Sequence, residues 1–282
     1  MNKFIPVKIT DKKWAEKLLD GEVFMRSLFE FGSWNKNKDG KLDNSFRGDI
    51  QEGTAAVFTD INDLEFAKGL DPRFKEIVKS VSLIDESDIQ YFKVFCLYCL
   101  DYIPETDFFE KPDPRMAEFG DTAVIIRDYN EFIERFGKAL FAKYPYVTSM
   151  IDRVSFFYPN EDKKTNPLFD KAASYSYQKE LRMAFCEIEH NPFARGTGAE
   201  HAMSIVMNRE PVTLQIGDIR DIAVAMPIND FLELRFPADI KLHFPMRGDG
   251  EEPSNFDGIV RWTREQMKNY RSIMVKPTFL IY

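Results

Sequence analysis

The stretch FIPVKITDKKWAEKLLDGEVFMRSL, residues 4–28, decides how the fold is read. Phe4 to Ile9 has the character of a short strand. Thr10-Asp11 is a helix N-cap signal, and Trp14, Ala15, Leu18 and Leu19 then recur at helical spacing. Gly21 stops the helix, and Glu22 to Leu28 resumes as a strand. The chain therefore opens strand, short helix, glycine, strand.

Outward from this opening, apolar runs continue to outnumber helical patterns. Ala55–Thr59, Val81–Ile84, Ile89–Leu100, Thr122–Ile126, Met150–Tyr158, Tyr175–Ile188, Ser204–Met207, Val212–Ile216 and Asp221–Met226 read as strands. Val81–Ile84 and Ile89–Leu100 are expected to pair with each other, antiparallel. Helices are expected at Pro72–Lys79, after an Asp128 cap with Phe132, Ile133, Phe136 and Leu140 on one face, and at Asp257–Tyr270. The expected class is α+β, centred on antiparallel sheet with dispersed helices. Residues 1–250 read as one domain. Residues 251–282 read as a C-terminal helix and tail packed on that domain or on a partner.

The 282 residues carry a formal charge of −8 with 30% charged and 44% hydrophobic side chains, which are globular proportions. The acidic balance argues against a protein whose main task is to coat duplex DNA. No apolar run approaches the roughly 20 residues of a spanning helix, and the start of the chain lacks the apolar stretch of a signal peptide. A cytoplasmic protein with no membrane association is the expectation. Three cysteines make no disulfide scaffold. Cys96 and Cys99 form a lone C-x-x-C inside an apolar strand, and the three histidines are scattered, so no metal site is expected. Phosphate-binding P-loop, dinucleotide and nucleophile-elbow signatures are absent.

Two segments concentrate polar residues. Arg47-Gly-Asp49-Ile-Gln-Glu52-Gly53 sets an arginine and two acids between glycines that let backbone approach a ligand. A solvated loop, an internal Arg–carboxylate pair and an anion site all fit it. The second segment is Tyr175-Ser-Tyr-Gln-Lys-Glu-Leu-Arg-Met-Ala-Phe185. On a strand, alternation would place Ser176, Gln178, Glu180, Arg182 and Ala184 on one face. An edge strand with an exposed polar face gives this pattern without any chemistry. The same set also suits an oxocarbenium ion: Glu180 supplies negative charge, Gln178 orients a nucleophile, and Arg182 holds the carboxylate ionised.

Gln178-Lys-Glu180 resembles the Q-x-E motif of mono-ADP-ribosyltransferases, where the Glu is catalytic. Lys8-Ile-Thr10, followed by Ala15, Leu18-Leu19 and Gly21, is similar to the H-[FI]-T opening of the nucleic-acid-modifying members and their poly-ADP-ribose relatives. Lys8 stands where those proteins have His. A second resemblance spans most of the chain. Bacterial proteins encoded near defence or mobile elements pair an R-x-D-x-x-E-G segment with Y-x-x-Q-x-E-x-R, here Arg47 to Gly53 and Tyr175 to Arg182. These resemblances imply an ADP-ribosyltransferase-like fold and NAD consumed as substrate. They imply Glu180 and Gln178 as catalytic residues, with Lys8, Thr10, Arg47, Asp49, Glu52, Tyr177 and Arg182 around the cofactor. Arg26 is the alternative to Arg47 for gripping the NAD phosphates; the polar surroundings of Arg47 favour it. The implied acceptor is RNA, DNA or protein. The implied role is a bacterial or phage toxin or antiphage defence effector, with a neutralising antitoxin as partner.

Two other functions compete. A metal-dependent nuclease would hold Mg²⁺ with Asp49 or Glu52 and Glu180, with Lys179 nearby. Nuclease cores of this type usually set the lysine two residues after the second acid, whereas Lys179 precedes Glu180. A non-enzymatic partner-binding module would use the tail Phe279–Tyr282, or the 257–270 helix with Ile259, Trp262 and Met267.

Overall fold

A computed structural model describes residues 3–33, 51–60, 80–84, 89–144, 146–158, 160–190, 203–237 and 278–281. The opening is built as its pattern dictates: strand β1 (Phe4–Thr10), helix α1 (Lys12–Leu19) and strand β2 (Glu22–Ser27). Asp11 occupies the N-cap, but the first helical amide, Lys12 N, donates to Asp121 Oδ1 at 2.7 Å. A residue far along the chain thus satisfies one of the donors that every helix start leaves open. Gly21 takes φ 89°, and a Cβ there would run into the backbone of Gly217, so the tight turn requires glycine.

The chain continues through α2 (Leu28–Ser33), β3 (Thr54–Phe58), β4 (Val81–Ile84), β5 (Lys93–Ile103) and β6 (Phe108–Phe109). A 3-10 turn at Pro114–Phe119 leads to β7 (Thr122–Ile126) and α3 (Tyr129–Lys143). Asp128 caps α3 as expected, its side chain accepting from Glu131 N at 3.0 Å. Next come β8 (Val147–Arg153), β9 (Ser155–Phe157), β10 (Lys163–Lys164) and β11 (Asp170–Ala172). A second 3-10 turn, Ala173–Gln178, precedes β12 (Glu180–His190). Strands β13 (Met203–Ile205), β14 (Val212–Gln215) and β15 (Ala223–Pro227), helix α4 (Ile228–Glu233) and β16 (Thr278–Ile281) complete it. The class is α+β with mostly antiparallel sheet. No described helix is long and apolar enough to cross a membrane.

The chain divides into two compact units, each assembled from three segments. The first comprises Met1–Arg26, Lys93–Ile151 and Tyr177–Arg261. Its sheet runs β13-β12-β5-β1-β7-β15, with β14, β2, β6 and β8 paired off that path. One sheet face supplies Phe95, Leu97, Cys99, Val124, Leu181 and Met183 to a core closed by Ala15 and Leu18 of α1 and by Phe132, Phe136 and Leu140 of α3. Alternate residues of the same strands face the other way.

The second unit comprises Ser27–Phe92, Asp152–Ser176 and Trp262–Tyr282. Its sheet runs β10-β3-β4-β16, beside a parallel β9–β11 pair. The tail strand β16 pairs with β4 from Thr278↔Ile84 to Ile281↔Val81, so the described part of the tail is ordinary sheet. The expected pairing of Val81–Ile84 with Ile89–Leu100 is not found. β4 lies between β3 and β16, whereas β5 lies between β1 and β12. The expected helices at 72–79 and 257–270 fall outside the described residues.

Candidate functional site

Glu180 begins β12, and its two neighbours decide its surroundings. The strand pairs with β5 in the register Glu180↔Tyr98, Leu181↔Leu97, Arg182↔Cys96. Directly opposed residues share a face. Glu180, Arg182, Cys96 and Tyr98 therefore stand together, opposite the face that carries Leu97, Leu181 and the main core. Along β12, Arg182 returns to Glu180 two residues earlier: Nε lies 3.0 Å from Oε1 and an Nη 3.2 Å from Oε2. This is a bidentate pair, and it is buried, with Arg182 1% exposed and Glu180 8%. Alternation in the sequence anticipated this pair.

Cys96 adds a contact that the sequence did not signal. Its thiol hydrogen bonds to Glu180, and burial pushes the thiol pKa well above its ordinary value, with the Glu180 charge adding to the rise. A thiol at the first position of a lone C-x-x-C gives no hint of this. The pattern does explain why the two cysteines do not converge: three residues apart on a strand, they face opposite ways, and Cys99 joins the core.

Lys8 reaches the same strand from β1, on the other side of β5. Its ammonium donates to the Cys96 carbonyl at 2.9 Å and lies 4.7 Å above the centre of the Phe95 ring. Burial lowers its pKa, and the nearby Glu180 carboxylate partly offsets that. Lys8 thus acts on Glu180 as a nearby charge through β5, while Thr10 lies at the end of β1, paired with Thr122.

The lead-in to Glu180 departs from the expected strand. Residues 173–178 form a 3-10 turn, and Lys179 takes φ 39°, one of two non-glycine residues with positive φ among those described. Such a conformation costs of order 1 kcal/mol and persists only where the surroundings enforce it. The enforcing contacts are visible. Lys179 O accepts from Cys99 N at 3.1 Å, and the Lys179 ammonium pairs with Glu110. Gln178, expected beside Glu180 on the strand, sits instead in the turn. It is buried, and its amide donates to the Tyr177 hydroxyl at 3.2 Å.

Tyr177 is capped in turn by Arg115, whose guanidinium lies 3.8 Å from the ring centre. Arg115 is fixed by Asp113 through two side-chain contacts of 2.9 and 2.6 Å, which hold the Asp113 carboxyl below its usual range. Asp113 N donates to the Tyr98 hydroxyl at 3.1 Å, and burial pushes Tyr98 up to about 12. Arg115, Asp113 and Tyr98 therefore ring the segment 177–180. Sequence reasoning missed all three, because each arrives through a contact far along the chain.

The remaining expected residues lie elsewhere. Arg47 and Asp49 are outside the described residues. Glu52 belongs to the second unit, where it is buried with Oε2 3.5 Å from Lys171 Nζ. Lys171 also lies 5.2 Å from the Tyr175 ring centre. Of the open readings of the Arg47–Gly53 segment, its one described charge takes part in an internal ion pair. Arg26 lies on β2 with its guanidinium 5.2 Å from the Phe24 ring. Among the described residues, no three or more His, Cys, Asp or Glu side chains gather as a metal site. Compared with protein-family profiles, with curated proteins and with solved structures, the chain matches none.

Proposed function

We propose that the chain transfers ADP-ribose from NAD to a macromolecular acceptor, with Glu180 as the catalytic carboxylate. The observation that carries this reading is the joint at 178–182. A buried amide, a left-handed residue and a carboxylate gripped by a buried guanidinium follow one another within five residues. Strain of this kind is maintained where geometry matters to function.

In the reaction, the bond between ribose C1′ and the nicotinamide nitrogen breaks, and nicotinamide leaves with the bonding electrons. Positive charge develops on the ribose, and the Glu180 carboxylate stabilises it. Gln178 orients the acceptor nucleophile, which bonds to C1′ and gives up its proton to solvent. Arg182 sets the direction of the carboxylate, and Cys96 and Lys8 hold the strand face behind it. The role that follows from the sequence resemblance is a cytoplasmic toxin or defence effector held in check by a neutralising partner.

The test is incubation of purified protein with ³²P-NAD and total RNA, DNA or lysate protein. Label transferred to one class supports the proposal and names the acceptor. A folded Glu180→Gln protein, checked by circular dichroism, is expected to lose transfer at least 100-fold. Wild-type protein that neither releases nicotinamide nor transfers label overturns the reading, as does full activity in Glu180→Gln. Cleavage of nucleic acid that requires Mg²⁺ and ignores NAD would replace it with a nuclease.

A further inference from the structure

Pro114 and the Asp113 cap fix the start of the 114–119 turn, and Arg115 leaves that turn with its guanidinium held by the Asp113 carboxylate at 2.9 and 2.6 Å. The same guanidinium lies 3.8 Å from the centre of the Tyr177 ring. Arg115 is about half exposed, whereas Tyr177 and Gln178 are each 7% exposed. The cation therefore caps a buried ring, and the hydroxyl of that ring accepts from Gln178 Nε2 at 3.2 Å. Glu180 is held by different groups, the Arg182 guanidinium and the Cys96 thiol. The amide and the carboxylate of the 178–182 joint are thus fixed from separate directions.

We propose that Arg115 is a positioning residue that sets the Gln178 amide through the Tyr177 ring, and that this relay decides whether the ribose passes to the acceptor or to water. The role rests on the transfer reading above. In both outcomes the bond between C1′ and nicotinamide breaks, and nicotinamide leaves with the bonding electrons. In transfer, the nucleophilic atom of the acceptor bonds to C1′ and releases its proton to solvent. In hydrolysis a water oxygen does the same, and free ADP-ribose results. Bond breaking draws on the negative charge of Glu180, whereas the choice of nucleophile draws on a Gln178 amide held in one place. A guanidinium already matched by Asp113 has no call for a second anion, and its remaining contact is the ring face that attracts a cation.

The experiment compares full-length wild type, Arg115→Ala, Tyr177→Phe and the double variant, each checked by circular dichroism. Release of ¹⁴C-nicotinamide from NAD and transfer of ³²P label to total RNA, DNA or lysate protein are measured side by side. The alanine keeps the bond from the residue 115 amide to Asp113 Oδ1, so the turn is retained. Each single variant should lower transfer about tenfold while nicotinamide release stays within about twofold of wild type, because the nucleophile loses its orientation and Glu180 keeps its own partners. The double variant should be little worse than either, since Arg115 acts through the hydroxyl that Tyr177→Phe removes. A readout without NAD separates this role from the reading it rests on. In ¹⁵N-labelled protein the side-chain NH₂ signal of Gln178, identified by its loss in Gln178→Glu, should move in Arg115→Ala as it does in Tyr177→Phe. The proposal is overturned by an unmoved Gln178 signal in folded Arg115→Ala, by equal losses of transfer and nicotinamide release, or by additive losses in the double variant. Wild-type protein that leaves NAD intact defeats the transfer reading and the partition role with it, while the Gln178 signal still decides whether Arg115 sets the amide.

Discussion

Breaking the Glu180–Arg182 pair from one side should cost far more than removing it from both. Arg182→Met takes away the guanidinium and its two contacts of 3.0 and 3.2 Å, and leaves a carboxylate that is 8% exposed. An uncompensated buried charge costs about 3–5 kcal/mol. The Cys96 thiol still hydrogen bonds to Glu180 and the small residual exposure admits some water, which places the expected loss at the low end, about 3 kcal/mol. Glu180→Leu leaves Arg182, at 1% exposure, without its carboxylate, and the loss should sit higher in that range. Glu180→Leu combined with Arg182→Met replaces both charges with apolar groups, for which the cost is often near zero. With each single loss about 3 kcal/mol or more and the double loss near zero, the coupling between the two sites is therefore expected to be about 6 kcal/mol or more. Urea unfolding followed by far-UV circular dichroism measures it, provided the slope of the transition stays constant across variants. A loss under about 1 kcal/mol for Arg182→Met, or additive losses in the double variant, would refute the claim that this pair is a buried, mutually dependent unit. The same reasoning bears on activity: Glu180→Gln weakens a buried pair, so lost transfer counts only in protein shown to be folded.

Other consequences follow from single contacts. Gly21→Ala should destabilise by about 2 kcal/mol or more beyond Gly217→Ala in thermal melts. Both glycines have positive φ, but only at Gly21 does a Cβ meet backbone, whereas at Gly217 it enters open space. The Asp113, Asp218 and Asp221 carboxyls are held below their usual range, chiefly by hydrogen bonds within the Asp113–Arg115, Asp218–Arg220 and Asp221–Arg135 pairs. Because the unfolded chain binds protons at these sites first, their contribution is complete well above pH 4 and fades as pH falls through the folded values. Melting temperature should accordingly be flat from pH 7 to about 5 and drop below about 4; a loss beginning near pH 6 would contradict this origin. Finally, Cys99 and Cys186 are buried and the Cys96 thiol pKa is raised, so native protein should show almost no fast reaction with a thiol reagent at pH 7.5, against three thiols when unfolded.

Local pattern was legible wherever one element's burial fixed its own spacing. β1, α1, the Gly21 turn, the Asp128 cap and the Glu180–Arg182 alternation are all readable this way, because side chains two apart on a strand, or three and four apart on a helix, share a face. The same logic misread Tyr175–Gln178. Alternation there imitates a strand, but Tyr177 is held under Arg115 and the backbone closes into a 3-10 turn. Cross-strand partners were illegible for a related reason. Apolar strands of similar length are interchangeable by composition, and β4 and β5 joined different sheets. The sequence by itself determined which residues face a core and that Glu180 and Arg182 stand together. Only the tertiary structure decided that Cys96 and Tyr98 stand beside them and that Arg115, held by Asp113, covers Tyr177, because strand register and long-range contacts are chosen by packing across the whole sheet, which no local window contains.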